Sequence, residues 1–193
     1  MNSLTQSQPI PDLGLCWWSF AVRGGLATLF AVVLFLVSFF LGIFFFDPVT
    51  LVYLSVLLGF FVVGNGLLLT VSAFFAYEHH LHFWWLVLGE GCFALLLGVY
   101  IGISLMLTPQ SLAFLAGIHA VGTGCFQFAL AIKMRDDRGN LMLLAGAGAI
   151  ALAVGISFLT HYHQAPRVTT QVLSAYELFD GIVWMLFAFR LRS

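Results

Sequence analysis

Apolar and polar positions fall along this chain in long blocks, not in short periods. Apolar stretches run at about 17–46, 49–76, 83–107, 111–132, 141–160 and 170–190, and each is long enough to cross a hydrocarbon core as a helix. Only helices and closed barrels satisfy the whole backbone in lipid. The stretches lack the apolar–polar alternation of barrel strands, so they predict six transmembrane helices. The first stretch is overlong and rich in Phe, which predicts a helix that tilts or protrudes. The interruptions are turn chemistry. Asp47-Pro48, Thr108-Pro109 and Ala165-Pro166 mark tight connections, while the polar links at 77–82 and 133–140 are longer.

The blocks repeat. Gly91 and Gly148, Gly98 and Gly155, Pro109 and Pro166, Gly124 and Gly181, and Ala131 and Ala188 are each 57 residues apart. An earlier copy matches with small insertions: Trp17-Trp18 answers Trp84-Trp85, Gly24 answers Gly91, Pro48 answers Pro109 and Gly66 answers Gly124. The units fall at about 17–82, 83–139 and 140–193, after a polar tail at 1–16. Each unit holds two spans, so all three share one direction. The predicted fold is an all-α membrane protein of three parallel two-helix repeats around a pseudo-three-fold axis. Small residues recur every seven within the repeat: Gly59/Gly66/Ala73, Gly117/Gly124/Ala131 and Ser174/Gly181/Ala188 on the even helices, and Gly24/Ala31, Gly91/Gly98 and Gly148/Gly155 on the odd ones. That spacing keeps them on one seam, where backbones can approach closely.

Composition agrees and adds a side. The chain is 62% hydrophobic and 8% charged, against about 25% charged for a soluble domain. A net charge of −1 gives nucleic acid no handle, and the expected partner is the lipid bilayer. Whether a second copy or another membrane protein joins it stays open. Lys133, Arg135, Arg138, Arg190 and Arg192 share one side with the N-terminal tail, against Arg167 on the other, so both termini are expected to be cytoplasmic. The opening 1–15 has no basic region and no cleavage site, and is not read as a secretory signal. Cys16, Cys92 and Cys125 are expected to be small packing residues, not a disulfide framework.

From Trp17 to the end the chain resembles the HdeD-type acid-resistance membrane proteins of bacteria. The resemblance rests on Trp17, Trp18, Arg23 and Gly24 in the first unit, on Trp84, Trp85, Glu90 and Gly91 in the second, and on the hairpin prolines. It also rests on the Gly-x6-Ala ends of the even helices and the basic residues closing units two and three. It implies a bacterial inner-membrane protein with a role in acid or envelope stress, and brings no cofactor and no catalytic residue. The chain departs from the family at Asn65, Gln127 and Asp180, where the charge pattern differs.

The residues that carry chemistry lie inside the spans. Arg23 and Glu90 stand at equivalent positions, about 9 Å inside the boundary marked by their Trp pairs. A charge that deep calls for a partner, and these two are expected to form an intramembrane pair. The pair either fixes helix register or closes a pathway along the axis; snorkelling of Arg23 to headgroups is a third option. Glu177 and Asp180 lie three apart on one face of the sixth span, with Asp180 about 15 Å from Arg190. Three acids share the bundle with one cation, and burial favours the neutral, proton-carrying acid, so Glu177, Asp180 and His119 are the proton-binding candidates. Asn65, Thr123 and Gln127 are expected to be polar contacts between helices. His79, His80 and His82 are weak metal candidates in a link without fixed geometry, so no metal site is assigned. No nucleophile triad, phosphate loop or dinucleotide motif is present, and no enzyme is expected. The alternatives to acid sensing or proton movement are a small-solute transporter or channel, and a structural or partner-binding membrane protein.

Overall fold

The computed structural model describes residues 13–41, 48–78, 84–104, 108–134, 138–161 and 166–192. They form six helices: α1 (Leu13–Leu41), α2 (Pro48–Glu78), α3 (Trp84–Ile103), α4 (Pro109–Lys133), α5 (Arg138–Thr160) and α6 (Pro166–Arg192). All six are long and apolar enough to cross a membrane, and no strand occurs among the described residues. The prolines that interrupt the apolar blocks are the first residues of α2, α4 and α6, where a missing N–H and a fixed φ suit a helix start. At α4 the preceding Thr108 is extended, and its hydroxyl accepts from the Ser111 N–H at 3.2 Å. Lys133 ends α4, and Arg190 and Arg192 end α6, where positive charge complements the exposed carbonyls. Helix α1 begins at Leu13, inside the segment read as tail, whereas its apolar span begins at Trp17.

The helices form a ring in chain order, closed by α6 against α1. They are not evenly spaced. The intimate pairs are α1–α6, α2–α3 and α4–α5, while α1–α2, α3–α4 and α5–α6 touch far less. The close pairs therefore join one two-helix repeat to the next, and the two helices inside a repeat splay apart. Glycine is the reason. A Cβ placed on Gly24 would stand 2.7 Å from the Gly181 carbonyl, one on Gly66 2.9 Å from that of Gly91, and one on Gly124 2.9 Å from that of Gly148. Seven residues further, Gly59 meets Gly98 and Gly102, and Gly117 meets Gly155. With no hydrophobic drive between helices in lipid, such backbone approach is what holds them. Thr28 and Thr70 line the seams and return their hydroxyls to the carbonyls of Gly24 and Gly66 at 2.8 Å.

Half or more of each even-numbered span is buried (50, 56 and 56%) against 39, 39 and 33% for the odd ones, so α2, α4 and α6 lie nearer the axis. Three apolar clusters fill the interior among the described residues, the smallest being Leu69, Ala73 and Val87, and two of them are large. One, toward the α1 C-terminal end, includes Phe30, Leu34, Leu58, Phe61, Ile101 and Phe158. The other, at the basic end, is built on Phe20, Leu130, Leu144, Trp184 and Phe187. The outer face is apolar as well: Leu29, Phe60, Leu96, Ile132 and Phe189 are all exposed, a surface that lipid covers. Cys92 and Cys125 lie on that outer face as free thiols, not among the interior packing residues, because each directly follows a seam glycine, Gly91 or Gly124, around the helix toward lipid.

Candidate functional site

The glycine seams also set the depth of the charged side chains. Arg23, Glu90 and Ala147 each precede an odd-helix seam glycine; Asn65, Thr123 and Asp180 each precede an even-helix one. Because Gly24 meets Gly181, Gly66 meets Gly91 and Gly124 meets Gly148, the residues before each pair lie within about 3 Å of each other along the axis, and their equivalent repeat positions put the three pairs at corresponding depths. All six are buried. Five of the six are polar, and they form a layer between the two large apolar clusters.

Within the layer, Arg23 Nη2 donates to Glu90 Oε1 at 2.6 Å, an ion pair whose members are 3% and 5% exposed. Helices α1 and α3 are not ring neighbours, so the pair reaches across the interior. The Arg23 guanidinium also lies over the Trp184 ring, 4.0 Å from its centroid. Trp184 in turn stacks on Phe20 at 5.5 Å and meets Phe187 edge-on. Asp180 accepts from Gln127 Nε2 at 2.7 Å, one turn nearer the basic end of α4. Glu177, three residues from Asp180 on α6, is buried and acts electrostatically with both Asp180 and Arg23. His119 and Tyr176, at equivalent positions of α4 and α6, are buried within reach of the Arg23 charge.

The network is incompletely paired. Arg23 Nε and Nη1, Asn65 Oδ1, His119 Nε2 and Gln127 Oε1 are buried without a hydrogen-bond partner among the described residues. Such atoms are costly in an apolar interior and are where bound water or a polar ligand completes a network. Thr123 is buried at the third even-helix position of the layer. His79, His80 and His82 lie outside the described residues, and so do Arg135, Asp136, Asp137 and His163. Among the described residues no three His, Cys, Asp or Glu side chains converge as metal ligands do.

Trp184 and Tyr176 belong to the site and were not singled out as members of it from sequence. The signal was present for Trp184: it follows Asp180 by four residues, and so shares its helix face.

The family described as a short repeat of unknown function (DUF308) matches twice, over residues 36–102 and over 89–160. Both matches contain Glu90, half of the charge pair; the first contains the α2–α3 seam, and the second the α4–α5 seam, His119, Thr123 and Gln127. No curated protein and no solved structure is similar enough to match. With the two matches together covering residues 36–160, well over half of its length, the chain belongs to the DUF308 family of short repeats.

Proposed function

We propose that this is a non-enzymatic protein of a bacterial inner membrane that takes up and releases protons at its buried polar layer, as a sensor or conductor of acidity. One observation carries the reading. Glu90, Glu177 and Asp180 are all buried, and Arg23 is the sole Lys or Arg among the buried described residues. One guanidinium balances one carboxylate. Unbalanced charge is costly at membrane depth, and a proton is the counter-charge that needs no other partner. His119 and Tyr176 add proton-bearing groups beside the acids, and the unpaired atoms of Arg23, Asn65 and Gln127 are positions for the water through which protons travel. Resemblance to the HdeD-type proteins supports a role in acid or envelope stress, with the basic end toward the cytoplasm by the Lys/Arg bias.

Infrared difference spectroscopy of the protein in liposomes, between acid and alkaline buffer, tests this directly. A protonated-carboxyl band that titrates in the parent should be lost in Glu177→Gln or Asp180→Asn. Identical spectra in the parent and both variants would overturn the reading. Liposomes loaded with a pH-sensitive dye then separate the two roles: flux abolished by Asp180→Asn means conduction, and a titrating band without flux means sensing.

A second reading has its own support. The direct Arg23–Glu90 contact, capped by Trp184, is the geometry of a structural clamp that fixes helix register. A band that does not change with pH would favour it.

A further inference from the structure

We propose that the groove between the basic ends of α5 and α6 is a binding site for one anionic phospholipid. The groove has a volume of about 680 Å³ and is lined by Gly139, Met142, Leu143, Leu186, Phe189 and Arg190. It lies between the two helices of one repeat, a pair that splays where the seams close. Met142, Leu186 and Phe189 are exposed on the outer face, so its walls open to the acyl region of the bilayer.

The lining divides along its length. Arg190 stands at one end, with its guanidinium across Gly139, where a Cβ would collide with it. Arg138, the exposed first residue of α5, precedes Met142 by four and so shares its face. Below this end every lining side chain is apolar. Two guanidinium groups above an apolar slot match a phosphate above an acyl chain, and guanidinium pairs with phosphate oxygens in a two-pronged way that a lone ammonium cannot. Basic sites between membrane helices select anionic headgroups on these grounds.

The first repeat supplies a comparison. Trp18 precedes its seam glycine Gly24 by six residues, as Met142 precedes Gly148; Phe75 follows Gly66 by nine, as Arg190 follows Gly181. In the first repeat these positions meet, Trp18 against Phe75 edge-on at 6.1 Å. The third repeat replaces that aromatic contact with a thioether and a guanidinium, at the place where the groove lies. This site is separate from the buried layer and does not depend on its function.

The test is a titration of the purified full chain in detergent with dioleoyl phosphatidylglycerol or dioleoyl phosphatidylcholine, read by native mass spectrometry for bound lipid and oligomeric state. The parent should hold one phosphatidylglycerol about 25-fold more tightly than phosphatidylcholine, about fivefold for each of the two arginines at a membrane surface. Arg190→Gln should cut that preference about fivefold, and Arg190→Gln combined with Arg138→Gln should bring the two lipids to parity. Met142→Trp should weaken both by filling the slot. Arg192→Gln should keep the preference, since Arg192 lies instead over the Trp17 ring at 4.9 Å. Equal affinity for both lipids in the parent would overturn the proposal, as would a preference left unchanged by Arg190→Gln. A lipid-free dimer disrupted by Met142→Trp would assign the groove to a second copy of the chain and also overturn it.

Discussion

Two depths of the bundle share one backbone plan and hold opposite chemistry. At one, Gly24 meets Gly181, Gly66 meets Gly91 and Gly124 meets Gly148; seven residues away, Gly59 meets Gly98 and Gly117 meets Gly155. The residues just before the first set are Arg23, Glu90, Ala147, Asn65, Thr123 and Asp180. Those before the second set, with Ala31 and Ser174 completing it by repeat position, are Phe30, Leu97, Val154, Leu58, Ala116 and Leu173. The second group is wholly apolar: Phe30, Leu58, Ala116 and Leu173 belong to the larger interior cluster, and Leu97 and Val154 pack against it. Seam packing needs only the small residue, because close approach depends on the absence of a side chain there. The neighbouring inward position is then free to vary, and at one depth it has become polar. The polar layer is thus an addition to the helix plan, not a requirement of it.

The largest effect that sharpens this contrast is removal of the cation. Arg23→Ala leaves Glu90 without its ion-pair partner and should destabilise the protein by about 3–5 kcal/mol, measured by reversible unfolding in mixed micelles. Exchanging the pair, Arg23→Glu with Glu90→Arg, should recover part of the loss. A cost below about 1 kcal/mol would mean that the pair is effectively solvated, as at a surface, and the two depths would no longer differ in kind.

Next come the glycines themselves, one from each depth of the α2–α3 seam. A Cβ on Gly66 would stand 2.7 Å from the Leu95 N, and one on Gly98 2.7 Å from the Val63 N. Backbone cannot move aside as a flexible side chain can, so Gly66→Ala and Gly98→Ala should each cost about 1–3 kcal/mol. The two costs should be similar, whatever chemistry lies alongside. A substitution tolerated at one depth alone would show that the seams do not share a plan.

The smallest effect is the control. Gly25 adjoins Gly24 in sequence, yet a Cβ there meets nothing within 4 Å. Gly25→Ala should leave stability unchanged or raise it by up to about 1 kcal/mol, through helix propensity and a less flexible unfolded chain. Comparable losses from Gly24→Ala and Gly25→Ala in the same unfolding assay would remove the seam from the explanation.

The sequence by itself determined the number of spans, the prolines that mark the connections before the even helices and the seven-residue series of small residues. It could do so because span length, a missing backbone N–H and a missing side chain are local properties. It also brought Arg23 and Glu90 to one depth, since equivalent repeat positions share a level. Tertiary structure decided which helices the small residues bring together. A seam marks a face of one helix and says nothing of its partner; packing joined each repeat to the next, closed α6 on α1 and left α5 and α6 apart to form a groove. Tertiary structure likewise placed Trp184 beneath Arg23 and Gln127 against Asp180, contacts between segments far apart in the chain; spacing put Trp184 on the Asp180 face of α6 but did not name its partner. Periodicity is written along one helix, whereas pairing depends on how well two surfaces fit, and that fit exists only once the bundle has assembled.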